Sequence, residues 1–415
     1  MLRLSSFTIL SFIACSRTWI PALTWKPMRT DRCPICGSES AEVLQLHFNA
    51  KMNLPTEVTL RHCASDNLLF VASGDQNSYD EYYKSLANDS YHGELAGGDL
   101  HSPISKLQRD QLGSLLDGFF WQSKRVLDFG CGEGWLLLEL ASEFPSSIFC
   151  GFDPSPGARI GSLKAQTLGL KNLTISDQEP SDAPDAPYDL IIASHVVEHL
   201  LNFDLLHSWN SLLAENGLLY IEVPNALQYA THERREFLYY FDRIHVNHFT
   251  PQSLVRLLAA HGFGYVRHFE YKFSYRDGGE YPALGMLFKK DQESVSISSP
   301  SIHQTGMLYI SQEKLRAKAL NERLKTFEGV LVWGAGDNFH RSSENGGPLS
   351  SLTNTVVLDQ RPQVIIIGDR RWITEIPAEG IRRYRWPVLI TVSVGRNAIC
   401  QQVKEIDPSR QVFFL

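Results

Sequence analysis

The run Asp128-Phe-Gly130-Cys-Gly132-Glu-Gly134 directly follows an apolar segment at 125–129. Glycines at this spacing let a chain turn sharply at the end of a strand and admit a ligand where a Cβ would block it. The turn opens a helix whose free N–H groups favour electron-rich ligand atoms. Asp153 closes the next apolar segment, where a carboxylate can accept hydrogen bonds from ribose hydroxyls. Together these residues predict a nucleotide-type site. A second constellation is Cys33-Pro-Ile-Cys36-Gly37, a knuckle that points two thiolates at one tetrahedral ion, with Zn²⁺ the usual occupant. Cys63 and Asp66 are the candidates for the remaining two ligands, with His62 as the other possible fourth; the alternative is a degenerate ribbon that holds no metal. A third signal, Gly334-Ala-Gly336 after the apolar run 330–333, is paired with Asp359 at the end of another such run. Asn338 and Phe339 stand where a further glycine is often found, so a structural Rossmann-like lobe with a partial phosphate or ribose site is expected there.

These side chains need a parallel sheet to hold them. Between residue 125 and about 290, apolar strand runs alternate with helical patterns, the signature of such a sheet wrapped by helices. Strands are expected at 125–129, 148–153, 173–175, 188–193 and 218–223, and a last pair at 263–270 and 281–288. Helices are expected at 135–143, 156–168, 205–213 and 251–260. The Ser-rich stretch 291–305 reads as a linker. A charged helix over 312–327 then leads into a second, smaller α/β unit.

The glycine turn departs from the dinucleotide pattern G-x-G-x-x-G. It resembles motif I of the class I S-adenosylmethionine-dependent methyltransferases. The likeness continues in order through Ser194-His195-Val-Val-Glu198-His199-Leu200, through 217–225, and through 246–251 to His261-Gly-Phe263, covering about residues 120–290. The resemblance implies a doubly wound, mostly parallel seven-stranded α/β sheet and S-adenosyl-L-methionine as cofactor. Gly130, Gly132 and Gly134 would line its methionine end with Asp128 and His195 beside them, Asp153 would take the ribose, and Asp177 or Gln178 the adenine.

A cysteine ribbon, a methyltransferase core and a C-terminal Rossmann-like lobe, in that order, resemble the C-methyltransferases of nucleotide-linked deoxysugars. That family carries F-D-x-I-Y-H-E-H after the fifth strand. Here the run is Phe241-Asp-Arg-Ile-His245-Val-Asn247-His248, which keeps the final His and replaces the Tyr, the middle His and the Glu. The implied catalytic set is His248 as general base, His245 and Asn247 as hydrogen-bonding groups, and His199. Tyr79–Tyr83 resembles that family's substrate lid. The competing reading makes 246–251 a helix-entry turn, with Thr250 capping a helix that starts at Pro251 and His248 packed against the sheet. The acceptor is expected to be a small molecule, with C-methylation of a nucleotide-linked keto-sugar as one form. The alternatives are O- or N-methylation of another metabolite, or a zinc-ribbon binding protein built on a methyltransferase scaffold.

Composition agrees with a globular, multi-domain chain. Its 415 residues are 43% hydrophobic, and 39 basic against 46 acidic side chains leave a charge of −7. A nucleic-acid binder would show a basic excess, and none is evident. Seven cysteines are too few and too irregular for a disulfide framework, which points to a reducing, cytoplasmic setting. No apolar run approaches the ~20 residues of a membrane span. Arg3 and the apolar stretch after it loosely resemble a signal peptide, but Arg17 and Trp19 spoil the cleavage pattern. The expected organisation is a disordered leader at 1–25, a zinc-ribbon-like module at 26–75, the methyltransferase domain at 76–292, a linker at 293–308 and the Rossmann-like lobe at 309–415.

Overall fold

Three short antiparallel strands come first: β1 (Ala41–His47), β2 (Glu57–Cys63) and β3 (Leu68–Val71). The computed structural model describes residues 31–415 except 51–52, 73, 86–108, 110–111, 115, 117, 181–185, 233–235, 275–279, 294, 345 and 393–394. The leader expected at 1–25 lies outside the described residues. A helix at Gln76–Ser85 carries the Tyr79–Tyr83 segment and buries Tyr79 and Tyr82.

The central sheet is built from β4 (Arg125–Phe129), β5 (Ile148–Phe152), β6 (Leu173–Ser176), β7 (Tyr188–Ser194) and β8 (Leu213–Pro224). After a two-residue strand β9 (Asn247–His248), it is completed by β10 (Phe263–Ser274) and β11 (Glu280–Lys290). Their order is β10-β11-β8-β7-β4-β5-β6, and only β11 runs against its neighbours. The seven-stranded, mostly parallel α/β sheet expected from the sequence is therefore present. The middle of strand β7, residues 190–193, is an apolar run because both of its faces are covered. Ile191 and Ala193 pack with Leu206 and Trp209 of the helix Leu205–Leu212 and with Leu254, Leu257 and Leu258 of the helix Pro251–Ala259. Leu190 and Ile192 point the other way, into the helices Trp135–Glu143 and Gly157–Thr167. This alternation along one strand is what winds helices onto both sides of the sheet.

The ribbon is not a separate bead. Strand β9 adds to its edge, giving the order β1-β2-β3-β9, with Leu69 opposite His248 and Phe70 opposite Asn247. The linker expectation also needs correcting. A helix runs over Ile302–Leu324, so residues 302–308 are helical rather than irregular. Ser301 is the reason: its side chain caps the helix by accepting from the Gln304 N–H, and Ile302, Tyr309 and Ile310 bury the inner face. Read as composition, the serines looked like a linker, whereas one of them starts a helix.

The C-terminal lobe has four parallel strands, β12 (Val330–Trp333), β13 (Thr355–Leu358), β16 (Val388–Ile390) and β17 (Val412–Phe414), in the order β13-β12-β16-β17. A hairpin of β14 (Val364–Ile367) and β15 (Arg370–Ile373) is inserted. Among the described residues, no helix is long and apolar enough to cross a membrane.

Candidate active site

The chain leaves β4 through left-handed backbone at Gly130 (φ 81°), Gly132 (φ 55°) and Gly134 (φ 69°). The first and second glycines serve different ends. A Cβ on Gly130 would stand 2.5 Å from Cγ2 of Val196, so this glycine lets the loop after β7 close over the turn. A Cβ on Gly132 would meet nothing within 4 Å, so the space beside it is open to a ligand. The N–H groups of Gly130 and Cys131 donate to the carbonyl of Phe152 at 2.7 and 3.0 Å, which ties the turn to β5. Asp153 strengthens that tie by accepting from the Gly132 N–H at 2.7 Å and from the Ser155 N–H at 2.8 Å. Each of its oxygens keeps a second lone pair for another donor. Asp177, after β6, accepts from Nε and Nη2 of Arg159 at 3.2 and 3.1 Å and from the Gln178 amide at 3.1 Å. Asp128 lies buried beneath the turn. Burial, then the neighbouring Asp153 and Glu222, push its carboxyl up to about 7.

The loop after β7 faces this turn. His195 is a non-glycine residue at φ 55°, a conformation that costs about 1–3 kcal/mol and persists only where its surroundings impose it. Its Nδ1 lies 2.9 Å from Oε1 of Glu198 and its Nε2 3.3 Å from Oε1 of Glu222. Burial works against a charge on the ring, but the bonds to these two carboxylates raise it to about 10. Both ring nitrogens of His195 therefore face buried carboxylates. Glu222 also accepts from the hydroxyls of Ser194 (2.9 Å), Tyr220 (2.5 Å) and Tyr271. Sequence reasoning missed Glu222, although its signal was present: a lone carboxylate inside the apolar run of β8.

His199 sits on the short turn Val197–His199 and donates from Nδ1 to the carbonyl of Ile244 at 2.9 Å, which leaves Nε2 as the lone-pair nitrogen. Its ring centre is 4.9 Å from that of His245 and 5.4 Å from that of Tyr83. Burial, then the proximity of His199, hold the His245 imidazole well below its usual range. Asn247 donates its amide to the carbonyls of Val197 at 3.1 Å and Leu200 at 2.8 Å, lacing the two histidine-bearing segments together. His248 lies deeper. It is 1% exposed, with Nδ1 3.1 Å from the Tyr229 hydroxyl and its ring edge-on to Tyr229 and Phe241. Thr250 caps the next helix reciprocally with Ser253, as the helix-entry reading expects. The structure therefore gathers His195, His199 and His245 around Glu198, and sets His248 behind them in the ribbon sheet.

Residues 105–268 match a family described as a methyltransferase domain. The central segment is a methyltransferase domain. It is 31% identical over 115 residues to trans-aconitate 2-methyltransferase of Streptomyces coelicolor, covering 26% of this chain and 37% of that protein. It is 33% identical over 100 residues to a probable (S)-tetrahydroprotoberberine N-methyltransferase of Papaver bracteatum, covering 23% of this chain and 28% of that one. The chain thus spans about a third of the length of these curated relatives. Among solved structures, the magnesium protoporphyrin IX methyltransferase of Synechocystis aligns at 16% identity and a TM-score of 0.39, over 52% of this chain and 100% of that one.

Against the methyltransferase domain sits the cysteine cluster. Cys33, Cys36, Cys63 and Asp66 bring their ligand atoms within 4.8 Å of one another. The Cys36 and Cys63 sulfurs are 3.7 Å apart, and Cys33 Sγ is 3.0 Å from Asp66 Oδ2. Burial, then the hydrogen bond to Asp66, push the Cys33 thiol above its normal range. Asp66 is fully buried and meets Arg256 of the methyltransferase domain at 2.9 Å, so the cluster is anchored to the core.

The glycine turn of the C-terminal lobe has a different use. Gly334 is left-handed (φ 113°), yet the Asp337 that follows is engaged by Arg243 Nη2 at 3.0 Å. Arg341 of the same segment donates to the carbonyls of Leu238 and Phe241. Asp359 accepts from the N–H of Arg361 at 2.9 Å. The turn where a partial phosphate site was expected is thus packed against residues 236–243 of the methyltransferase domain.

Proposed function

We propose that the chain transfers the methyl group of S-adenosylmethionine to a small-molecule acceptor held over the loop from His195 to His199. The observation that carries this reading is the open, left-handed Gly132 beside Asp153, where β4 and β5 end side by side. Gly130, Gly132 and Gly134 take the methionine end of the cofactor, Asp153 the ribose hydroxyls and Asp177 the adenine. Asp128 and the His195 network shape the floor beneath. In the reaction a lone pair of the acceptor attacks the sulfonium methyl carbon in line, the carbon–sulfur bond breaks, and its electrons return to sulfur. The chief contributions of the protein are alignment and exclusion of water. His199, His245 and Tyr83 form the acceptor side. Asn247 and His248 position that side rather than touching the acceptor, since one is bonded to loop carbonyls and the other is enclosed by aromatic rings.

The finer reading is C-methylation of a nucleotide-linked keto-sugar. Its support is the order of ribbon, core and lobe, and the ribbon's direct pairing with the His248 strand. Methylation at oxygen or nitrogen is the second reading, and the named activities of the relatives favour it. Zinc at Cys33, Cys36, Cys63 and Asp66 is structural in this proposal. The 3.7 Å sulfur–sulfur distance fits the roughly 3.8 Å edge of a tetrahedron with ~2.3 Å bonds. A reducing, cytoplasmic setting suits the free thiols of Cys131 and Cys400.

Calorimetry with S-adenosylmethionine tests the core of the proposal, and micromolar binding is expected. Incubation with methyl-labelled cofactor and a panel of nucleotide-linked keto-sugars, phenols and carboxylic acids, with mass spectra locating the methyl group, then separates the acceptor classes. A folded chain that binds no S-adenosylmethionine overturns the enzyme reading and leaves the ribbon-binding one.

A further inference from the structure

The loop after β7 holds more ligand atoms than alignment of an acceptor requires. Glu198, His199 and His245 bring a carboxylate oxygen and two ring nitrogens within 4.8 Å of one another. Glu198 is fully buried. His195 occupies its Oε1 at 2.9 Å, while Oε2 is buried with no hydrogen-bond partner among the described residues. Leaving a buried acceptor unsatisfied costs about 1–3 kcal/mol, and more for a charged group. The Tyr83 hydroxyl, whose ring stands edge-on to His199, is likewise buried without a partner among the described residues. Both groups are available to a further partner.

The donor set identifies its class. Two imidazoles and one carboxylate on one side suit a divalent transition-metal ion, whereas magnesium and calcium prefer oxygen ligands throughout. The supporting bonds are those of a metal site. The Nδ1–H of His199 is spent on the Ile244 carbonyl, which fixes the tautomer that offers Nε2. His195 orients Glu198 in the same way, and Asn247 locks the 197–200 turn to the strand after His245. With bonds of ~2.0–2.1 Å, ligand atoms stand about 3–3.4 Å apart, so closure from the present geometry takes movements of roughly an ångström.

We propose that Glu198, His199 and His245 bind one divalent transition-metal ion, distinct from the ion at the cysteines, with open positions for an oxygen of the methyl acceptor. Only the last clause rests on the methyl-transfer reading. The ion itself is independent of that reading.

Cobalt(II) is the probe. The full chain, loaded with zinc at the cysteines, is titrated with Co²⁺ and followed by calorimetry and visible absorption. One equivalent is expected to bind, with the weak bands of nitrogen and oxygen coordination and without intense thiolate charge-transfer bands. His245→Gln and Glu198→Gln should each weaken Co²⁺ binding at least tenfold. S-adenosylmethionine binding by the His245→Gln protein should be unchanged, which separates a lost ion from a lost fold. Where Glu198→Gln does not fold, His245→Gln decides, since that ring is partly exposed. The metal proposal is overturned by a chain that binds S-adenosylmethionine and takes up no Co²⁺. It is equally overturned if the bound Co²⁺ is thiolate-ligated or indifferent to His245→Gln. Uptake of Co²⁺ without cofactor binding leaves the metal site standing and removes the methyl-transfer reading.

Discussion

Gly132 combines a left-handed backbone with empty space where its side chain would be, and that pairing makes it the sharpest probe of the cofactor site. Gly132→Val puts a branched residue into strained φ and fills the space a ligand must enter. We expect it to abolish S-adenosylmethionine binding by calorimetry while the protein stays folded by circular dichroism. Asp153→Ala removes the acceptor of two turn N–H groups along with the proposed ribose partner. Hydrogen bonds to a charged group are worth about 1.5–3 kcal/mol each, so affinity should fall by at least tenfold. His248 is a different kind of residue. With its ring enclosed by Tyr229 and Phe241, His248→Gln should lower the melting temperature and change turnover of the folded fraction less than about threefold. A general base would instead lose ~10²–10⁴-fold in turnover with little change in stability. Measuring both on one preparation separates these outcomes.

At the level of elements, the pairing of β3 with β9 joins the ribbon to the histidine loop. Two members of the cysteine cluster, Cys63 at the end of β2 and Asp66 in the turn before β3, lie on the ribbon edge, so the proposed zinc would stiffen the strand on which His248 and Asn247 hang. Local stability in proteins is graded, and amide exchange resolves it unit by unit. Removing the proposed zinc with a strong chelator, or introducing Cys36→Ser, should speed exchange at 68–71 and 247–248. Protection in β4, β7 and β8 should survive. Uniform loss of protection, or none, would show that the ribbon does not support this loop.

Across the whole molecule, Arg243 is the shared fastening. Its guanidinium donates to the carbonyl of Asn49 at 2.6 Å and pairs with Asp337 of the lobe at 3.0 Å, and its own carbonyl accepts from Tyr79 at 2.6 Å. Removing one partner of a buried pair costs about 3–5 kcal/mol, and the partial exposure of Asp337 places this one at the low end. Arg243→Met should therefore lower the melting temperature by roughly 5–10 °C and speed proteolytic release of the C-terminal lobe. The same junction is acid-sensitive. Burial, then the nearby Arg243, depress the His340 imidazole to about 4. The unfolded chain takes up a proton near 6.5 that the folded lobe refuses until about 4, so stability falls as pH drops through that window. His340→Gln should flatten that part of the stability curve, measured by denaturant unfolding at pH 4.5 and pH 7.

The positions of the strands and helices of the central sheet were legible because parallel βα units repeat a local pattern: an apolar run, a turn, a helix. The glycine turn and Asp153 were legible for the same reason, since both belong to one βα unit and its successor. The four cysteine-cluster residues could also be named in advance, because each pair of ligands is a short-range spacing. What the sequence left undecided lies between segments far apart in the chain. Glu222 reads as one charge in an apolar strand until β7 brings His195 beside it. His248 reads as a base or as a packed turn residue, and nothing in its local sequence announces that β3 pairs with its strand and that Tyr229 and Phe241 flank its ring. The lobe's glycine turn reads as part of a structural Rossmann-like lobe, and nothing near it announces that Arg243 reaches Asp337 across the domain junction. Spacing along a chain fixes which groups one turn or knuckle can present. Only the packing of distant segments decides which of those groups remain open to a ligand and which are already bonded to the protein.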